Sequence, residues 1–163
     1  LIELHDKNQF ELIGISFGPS QSNEIRARLE KSFDQFIDAS AMSDIEIAQL
    51  SRNLKVDIAI DLKGFTQNCR TGIFAYRAAP IQVSYLGYPG TMSANYMDYL
   101  VADKTLIPQE FQKAYSEKIA YLPNSYQVND DQKEISARTF SKEELGRCAK
   151  CMAFLNRRVV CDV

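Results

Sequence analysis

The residues best suited to chemistry in this chain follow two β-prone runs. Ile81-Gln82-Val83-Ser84-Tyr85 leads straight into Leu86-Gly87-Tyr88-Pro89-Gly90-Thr91. A loop leaving the C-terminal end of a strand is where α/β proteins bind ligands. Gly87 and Gly90 let backbone approach a ligand with no Cβ in the way, and Pro89 stiffens the turn by fixing φ. The loop has neither the Gly-Lys-Ser/Thr of a Walker phosphate loop nor the three-glycine spacing of a dinucleotide fingerprint. A plain connector would need fewer special residues, so the loop reads as shaped for contact. The second run, residues 56–62, ends at Lys63-Gly64-Phe65-Thr66, with Arg70 a turn later. Thr66 offers a hydroxyl, and Arg70 a fork of donors suited to carboxylate or phosphate. The structural alternative is that Thr66 or Asn68 caps a short helix while Arg70 pairs with a surface carboxylate. Two such loops at one sheet edge would line one cleft.

Other reactive side chains carry less. His5, the single histidine, precedes Asp6-Lys7-Asn8-Gln9 and reads as a surface helix terminus. Adjacent residues on a helix do not face each other, so His5-Asp6 is no catalytic pair. Asp57 and Asp61 flank a strand core on one face, where structural and functional roles weigh equally. Cys148-Ala149-Lys150-Cys151 has zinc or redox spacing, but only Cys161 is near as a further ligand. Cys69 stands alone. No metal site is expected.

The elements that must position the two loops follow from the pattern. Residues 10–17 form a strand ending at Gly18-Pro19-Ser20. Ser22 or Asn23 caps a helix to about Phe33, with Ile25 and Leu29 on one face. Residues 35–38 form a strand, and Ser43-Asp44-Ile45-Glu46 opens a helix with a capping box, continued by Ile47, Leu50 and Leu54. After the strand at 56–62 come a short helix at 68–76 and the strand at 81–85. Ala94 to Met97 is a brief helix at most. A strand at 99–103, a helix started by Pro108 and a strand at 118–122 complete the series. Strands and helices alternate at short spacing, which predicts an α/β fold with a parallel sheet covered on both faces and right-handed crossovers. Residues 129–133 form a polar, hinge-like stretch.

The chain of 163 residues suffices for one domain with a proper core. Its net charge of −2 points to no nucleic-acid or anionic-membrane partner. No apolar run approaches the ~20 residues of a membrane span. The absence of a starting Met and of a secretory signal suggests a cytoplasmic fragment.

Five motifs in order carry a family resemblance. They are Leu62-Lys63-Gly64-Phe65-Thr66, Arg77-Ala78-Ala79-Pro80-Ile81-Gln82-Val83, Leu86-Gly87-Tyr88-Pro89-Gly90-Thr91, Met97-Asp98-Tyr99 and Tyr115-Ser116-Glu117-Lys118. Together they resemble the catalytic region of the protein O-GlcNAc transferase (SPINDLY-type) family, in its bacterial form. The match runs over about residues 1–146. It implies the Rossmann-like N-terminal lobe, residues 1–130, of a two-lobed GT-B glycosyltransferase, with an inter-lobe linker starting at 131–146. The implied reaction is inverting and metal-independent, uses no cofactor, and moves N-acetylglucosamine from UDP-GlcNAc to serine or threonine hydroxyls of an acceptor protein. Rival readings are another GT-B transferase, such as a protein O-fucosyltransferase, and a non-catalytic interaction module. The resemblance places Leu86, Gly87, Tyr88 and Pro89 on the sugar and N-acetyl pocket, with Gly90 and Thr91 shaping the turn. It puts Thr66 and Arg70 by the acceptor cleft.

The family's His-Pro motif, its C-terminal lobe with most of the UDP contacts, and the tetratricopeptide repeats of full-length relatives are not in this sequence. No catalytic residue is therefore assigned, and the 163-residue chain is expected to be inactive alone. Beyond Gly146, the Cys- and Arg-rich residues 147–163 depart from the family pattern, as a frameshift would produce.

Overall fold

Apolar runs become short parallel strands joined by helices. A computed structural model of the chain describes residues 1–18, 23–130, 132 and 138. Strand β1 (Ile13–Ser16) crosses through helix α1 (Glu24–Ser32) to β2 (Gln35–Asp38), which pairs parallel to it with Ile13 opposite Gln35. Helix α2 (Asp44–Asn53) then leads to β3 (Ile58–Asp61). Helix α3 (Gly72–Ala75), β4 (Ile81–Ser84), β5 (Tyr99–Ala102) and β6 (Lys118–Tyr121) follow, with a 3-10 helix at Gln109–Ala114 before β6. Among the described residues, β1 and β2 form one sheet, and the other four strands form a second in the order β3-β4-β5-β6, all parallel. Residues Leu1–Val128 make one unit, and Asn129–Val163 make another, most of it outside the described residues. The expected linker and the cysteine-rich tail therefore lie almost wholly outside them.

One core spans both sheets. Ile47 and Ala48 of α2 and Ile73 and Phe74 of α3 pack with Ala39, Ala78, Met92 and Met97, and both Ile15 of β1 and Ala59 of β3 touch this cluster. Side chains alternate faces along a strand. Helix α1 therefore lies on the other face of β1: Arg26 donates to Ser16 Oγ at 3.1 Å and stands over the Phe36 ring at 5.2 Å. A second cluster of Leu100, Ala102 and Ile107, joined by Ile119 and Tyr121, holds β5 to β6.

The helix starts follow their local signals. Asn23 Oδ1 accepts from Arg26 N at 2.8 Å and caps α1. Ser43 and Glu46 form the expected reciprocal capping box of α2. The helix at 68–76 is much shorter than its pattern suggests. Asn68 (φ 58°) and Arg77 (φ 56°) are left-handed and confine regular helix to Gly72–Ala75. Residues 94–97 make a single turn, with Met97 N bonded to Ala94 O, instead of a helix.

Candidate functional site

Strand pairing brings the two glycine-bearing loops together. Asp61 of β3 lies opposite Ser84 of β4, so both strands end at one sheet edge. The buried Asp61 carboxylate accepts the amides of Lys63 (2.9 Å) and Gly64 (3.0 Å) and folds the first loop back on itself. Gly64 is left-handed (φ 56°), and a Cβ there would stand 2.5 Å from Tyr88 Cβ. From the other side, Gly87 N donates to Leu62 O at 3.2 Å, and a Cβ on Gly87 would meet that same oxygen at 2.5 Å. The loops thus interlock through two glycines. Phe65 and Tyr88 seal the contact edge to face, ring centroids 5.5 Å apart.

The far end of the second loop is fixed by a residue that belongs to one of the five motifs but was assigned no role from the sequence. Glu117, buried just before β6, accepts Met92 N at 2.6 Å through Oε1 and the Thr91 hydroxyl at 2.7 Å through Oε2. Thr91 Oγ1 also accepts Ser93 N at 3.0 Å. The Thr91 hydroxyl is therefore committed to holding the turn. Tyr115 OH approaches Pro89 O at 3.5 Å. Glu117 and Thr91 lie far apart in sequence, so no local spacing announces the pair.

Behind the loop, Tyr85 and Asp103 hold a strap. Tyr85 OH donates to Tyr126 O at 2.8 Å, and Asp103 Oδ2 accepts Tyr126 N at 2.8 Å. Burial, with Tyr126 nearby, raises the Tyr85 phenol above its ordinary pKa. The Leu106 amide first, then those of Tyr126 and Thr105, hold the Asp103 carboxyl below the usual carboxylate value. The signal for Asp103 is local: an aspartate at a strand end followed by Lys104-Thr105-Leu106, the setting of an Asx turn.

The remaining site expectations divide. Leu86 (φ 70°) through Thr91 form an irregular loop tied to Lys63-Gly64-Phe65-Thr66 by the Gly87 N to Leu62 O bond. The Thr66 hydroxyl makes no hydrogen bond among the described residues, while its backbone turns the loop through Gly64 O and Cys69 N. The Arg70 fork is occupied: Nε donates to Asp44 Oδ1 at 2.7 Å, NH2 donates to Met42 O at 2.7 Å, and the guanidinium stands over Phe17. His5 Nδ1 lies 3.1 Å from Leu1 O at the end of a 3-10 turn. Asp57 is exposed beside a cavity of about 420 Å3 with Arg52 and Arg77, at the N-terminal ends of β3 and β4 and so opposite the loops. Among the described residues, no cluster of His, Cys, Asp and Glu could hold a metal, and no helix is long and apolar enough to cross a membrane.

Comparisons with known proteins place the chain in a family. A family model described as glycosyl transferase family 41 matches residues 1–145. The chain is 41% identical over 127 residues to a probable UDP-N-acetylglucosamine–peptide N-acetylglucosaminyltransferase, SEC, of Arabidopsis thaliana. It is 32% identical over 128 residues to the UDP-N-acetylglucosamine–peptide N-acetylglucosaminyltransferase of Caenorhabditis elegans. Each match takes 78% of this chain but only 13% and 11% of those relatives. Its fold matches a solved mutant of Thermobaculum terrenum O-GlcNAc transferase with TM-score 0.73 and 34% identity, over 77% of this chain and 24% of that one.

Proposed function

The chain belongs to glycosyl transferase family 41, and on that premise we propose that the protein containing it transfers N-acetylglucosamine from UDP-GlcNAc to serine or threonine hydroxyls of proteins in the cytoplasm. The chain is an α/β lobe of the GT-B kind. The observation that carries the proposal is the interlock of the loops after β3 and β4, a rigid strand-end surface within the matched region. Leu86 and Pro89 offer apolar surface to an acetyl methyl. Because Gly87 N is committed to Leu62 O, the backbone group left for a sugar hydroxyl or amide is the Gly87 carbonyl. Thr66 faces the acceptor side with its hydroxyl. Arg70 acts from behind, holding Asp44 and Phe17 in place.

An inverting transfer needs a base for the acceptor and groups that stabilise the departing diphosphate. Further parts of the protein supply these, the His-Pro motif as candidate active-site histidine and a second lobe for the diphosphate; tetratricopeptide repeats precede the catalytic part, and the reaction uses no metal. The family match stops at residue 145, which supports reading 147–163 as sequence foreign to the lobe.

The test uses the longer polypeptide with labelled UDP-GlcNAc and an acceptor protein. Label on serine or threonine supports the proposal, and transfer from a fucose nucleotide instead of UDP-GlcNAc overturns it. In that assay, Gly87→Ala should raise the donor KM about tenfold or more, because its Cβ meets backbone oxygen at 2.5 Å and forces the loops apart.

A further inference from the structure

The loop from Leu86 to Thr91 does not hold its own shape. Gly87 N donates to Leu62 O and reaches Tyr85 O at 3.1 Å. Beyond Gly87, the amides of Tyr88 and Gly90 make no hydrogen bond among the described residues. Pro89 has no amide to give. An irregular segment of this kind keeps one geometry only if its ends are held, because nothing inside it offsets the entropy of ordering.

The glycine interlock holds the near end. The far end is held by Tyr115-Ser116-Glu117, the segment between the 3-10 helix and β6. The Glu117 carboxylate gathers three donors there. Met92 N bonds to Oε1 at 2.6 Å, and the hydroxyls of Thr91 and Ser116 bond to Oε2 at 2.7 and 3.2 Å. The residue is 4% exposed. With both oxygens taken and the side chain buried, Glu117 has no reach to an acceptor hydroxyl and is no general base.

The arrangement demands an acceptor at both oxygens. Thr91 Oγ1 itself accepts Ser93 N at 3.0 Å and Ser116 N at 3.4 Å, so its lone pairs are used and its proton goes to Glu117. A glutamine of the same shape would present an NH2 to either Met92 N or the Thr91 hydroxyl, setting donor against donor.

We propose that Glu117 is a positioning residue for the donor sugar. It fixes Thr91 and Met92, these fix the shape of the Leu86–Thr91 loop, and the loop fixes the sugar. This rests on the proposed sugar-binding role of that loop. The effect is selective: loosening the loop misplaces the sugar and leaves the nucleotide, held by further parts of the protein, bound as before.

The test uses the longer polypeptide as wild type, Glu117→Gln, Thr91→Val and the double variant. Calorimetric titration with UDP, without acceptor, gives the UDP dissociation constant and counts the folded sites. Transfer assays give kcat/KM for UDP-GlcNAc per counted site. Each single variant should lose about fivefold or more in that kcat/KM, while the UDP dissociation constant stays within about twofold. The double variant should lose no more than the worse single, since both open one clamp. An unchanged kcat/KM per site overturns the proposal. So does weakening of UDP in parallel, the mark of a merely structural role, and so does independent multiplication of the two losses. If Glu117→Gln shows no cooperative thermal melt, Thr91→Val decides by the same two constants. Wild type that transfers N-acetylglucosamine beside unaffected variants refutes the role of Glu117 alone. Wild type that transfers fucose instead refutes the proposed function along with it.

Discussion

Met92 buries its amide against Glu117 Oε1 at 2.6 Å, and this contact makes the loop depend measurably on a residue outside it. Glu117→Ala leaves the Met92 donor without an acceptor and frees the Thr91 hydroxyl. The expected cost is about 1–3 kcal/mol, read as a lower urea midpoint with an unchanged slope. Asp103 supports a prediction about pH. Its folded pKa lies below the ordinary value of 3.8, so the stability it contributes is present in full above that value and is lost as pH falls through the depressed one. Stability should therefore fall more steeply on acidification in the wild type than in Asp103→Asn. Equal slopes in thermal melts across that range would refute the assignment. Part of this site is legible residue by residue. Gly64 and Gly87 announce a constrained turn because few other residues tolerate such positions. The sequence also leaves two roles for Arg70, and the observed bond to Asp44 could not be chosen between them without the fold. Thr91 and Glu117 meet only because β6 follows β5 into the same sheet.

At the scale of elements, α2 shows how much local chemistry determines. Its start is readable from Ser43-Asp44-Ile45-Glu46, and its end is a Schellman motif. Lys55 N bonds to Arg52 O, and Val56 N bonds to Ser51 O at 3.2 Å. The C′ position of that motif is Lys55 at φ 56°, a conformation that favours glycine. Lys55→Gly should stabilise the chain by about 0.5–1 kcal/mol, the relief of left-handed strain less the added freedom of the unfolded chain. A thermal midpoint raised by a few degrees would show it; a lowered one would contradict it. Helix α3 is the opposite case. Asn68 and Arg77 carry no glycine signal, so the sequence pattern runs on through 68–76 while the backbone does not. At Arg77 the left-handed turn accompanies long-range bonds of its fork to Tyr96 O and Asp98, contacts no local pattern reveals.

For the whole molecule, alternation of strand and helix identifies the parallel α/β class, since crossovers of this length leave few other arrangements. Strand order is another matter. It depends on which edges meet, and here it divides the described strands into two sheets. The 163-residue chain should turn over no UDP-GlcNAc, because the base and the diphosphate contacts of the proposed reaction are assigned to further parts of the protein. Release of UDP by the purified chain would contradict this. A final consequence comes from the Tyr126 backbone, tied at its N–H to Asp103 and at its C=O to Tyr85. The tie is a mooring two residues before the end of the first unit at Val128. A pull at Tyr126 is passed to the ends of both β4 and β5, and since Tyr85 is one peptide bond from Leu86, it is passed to the loop of Leu86 to Thr91 as well.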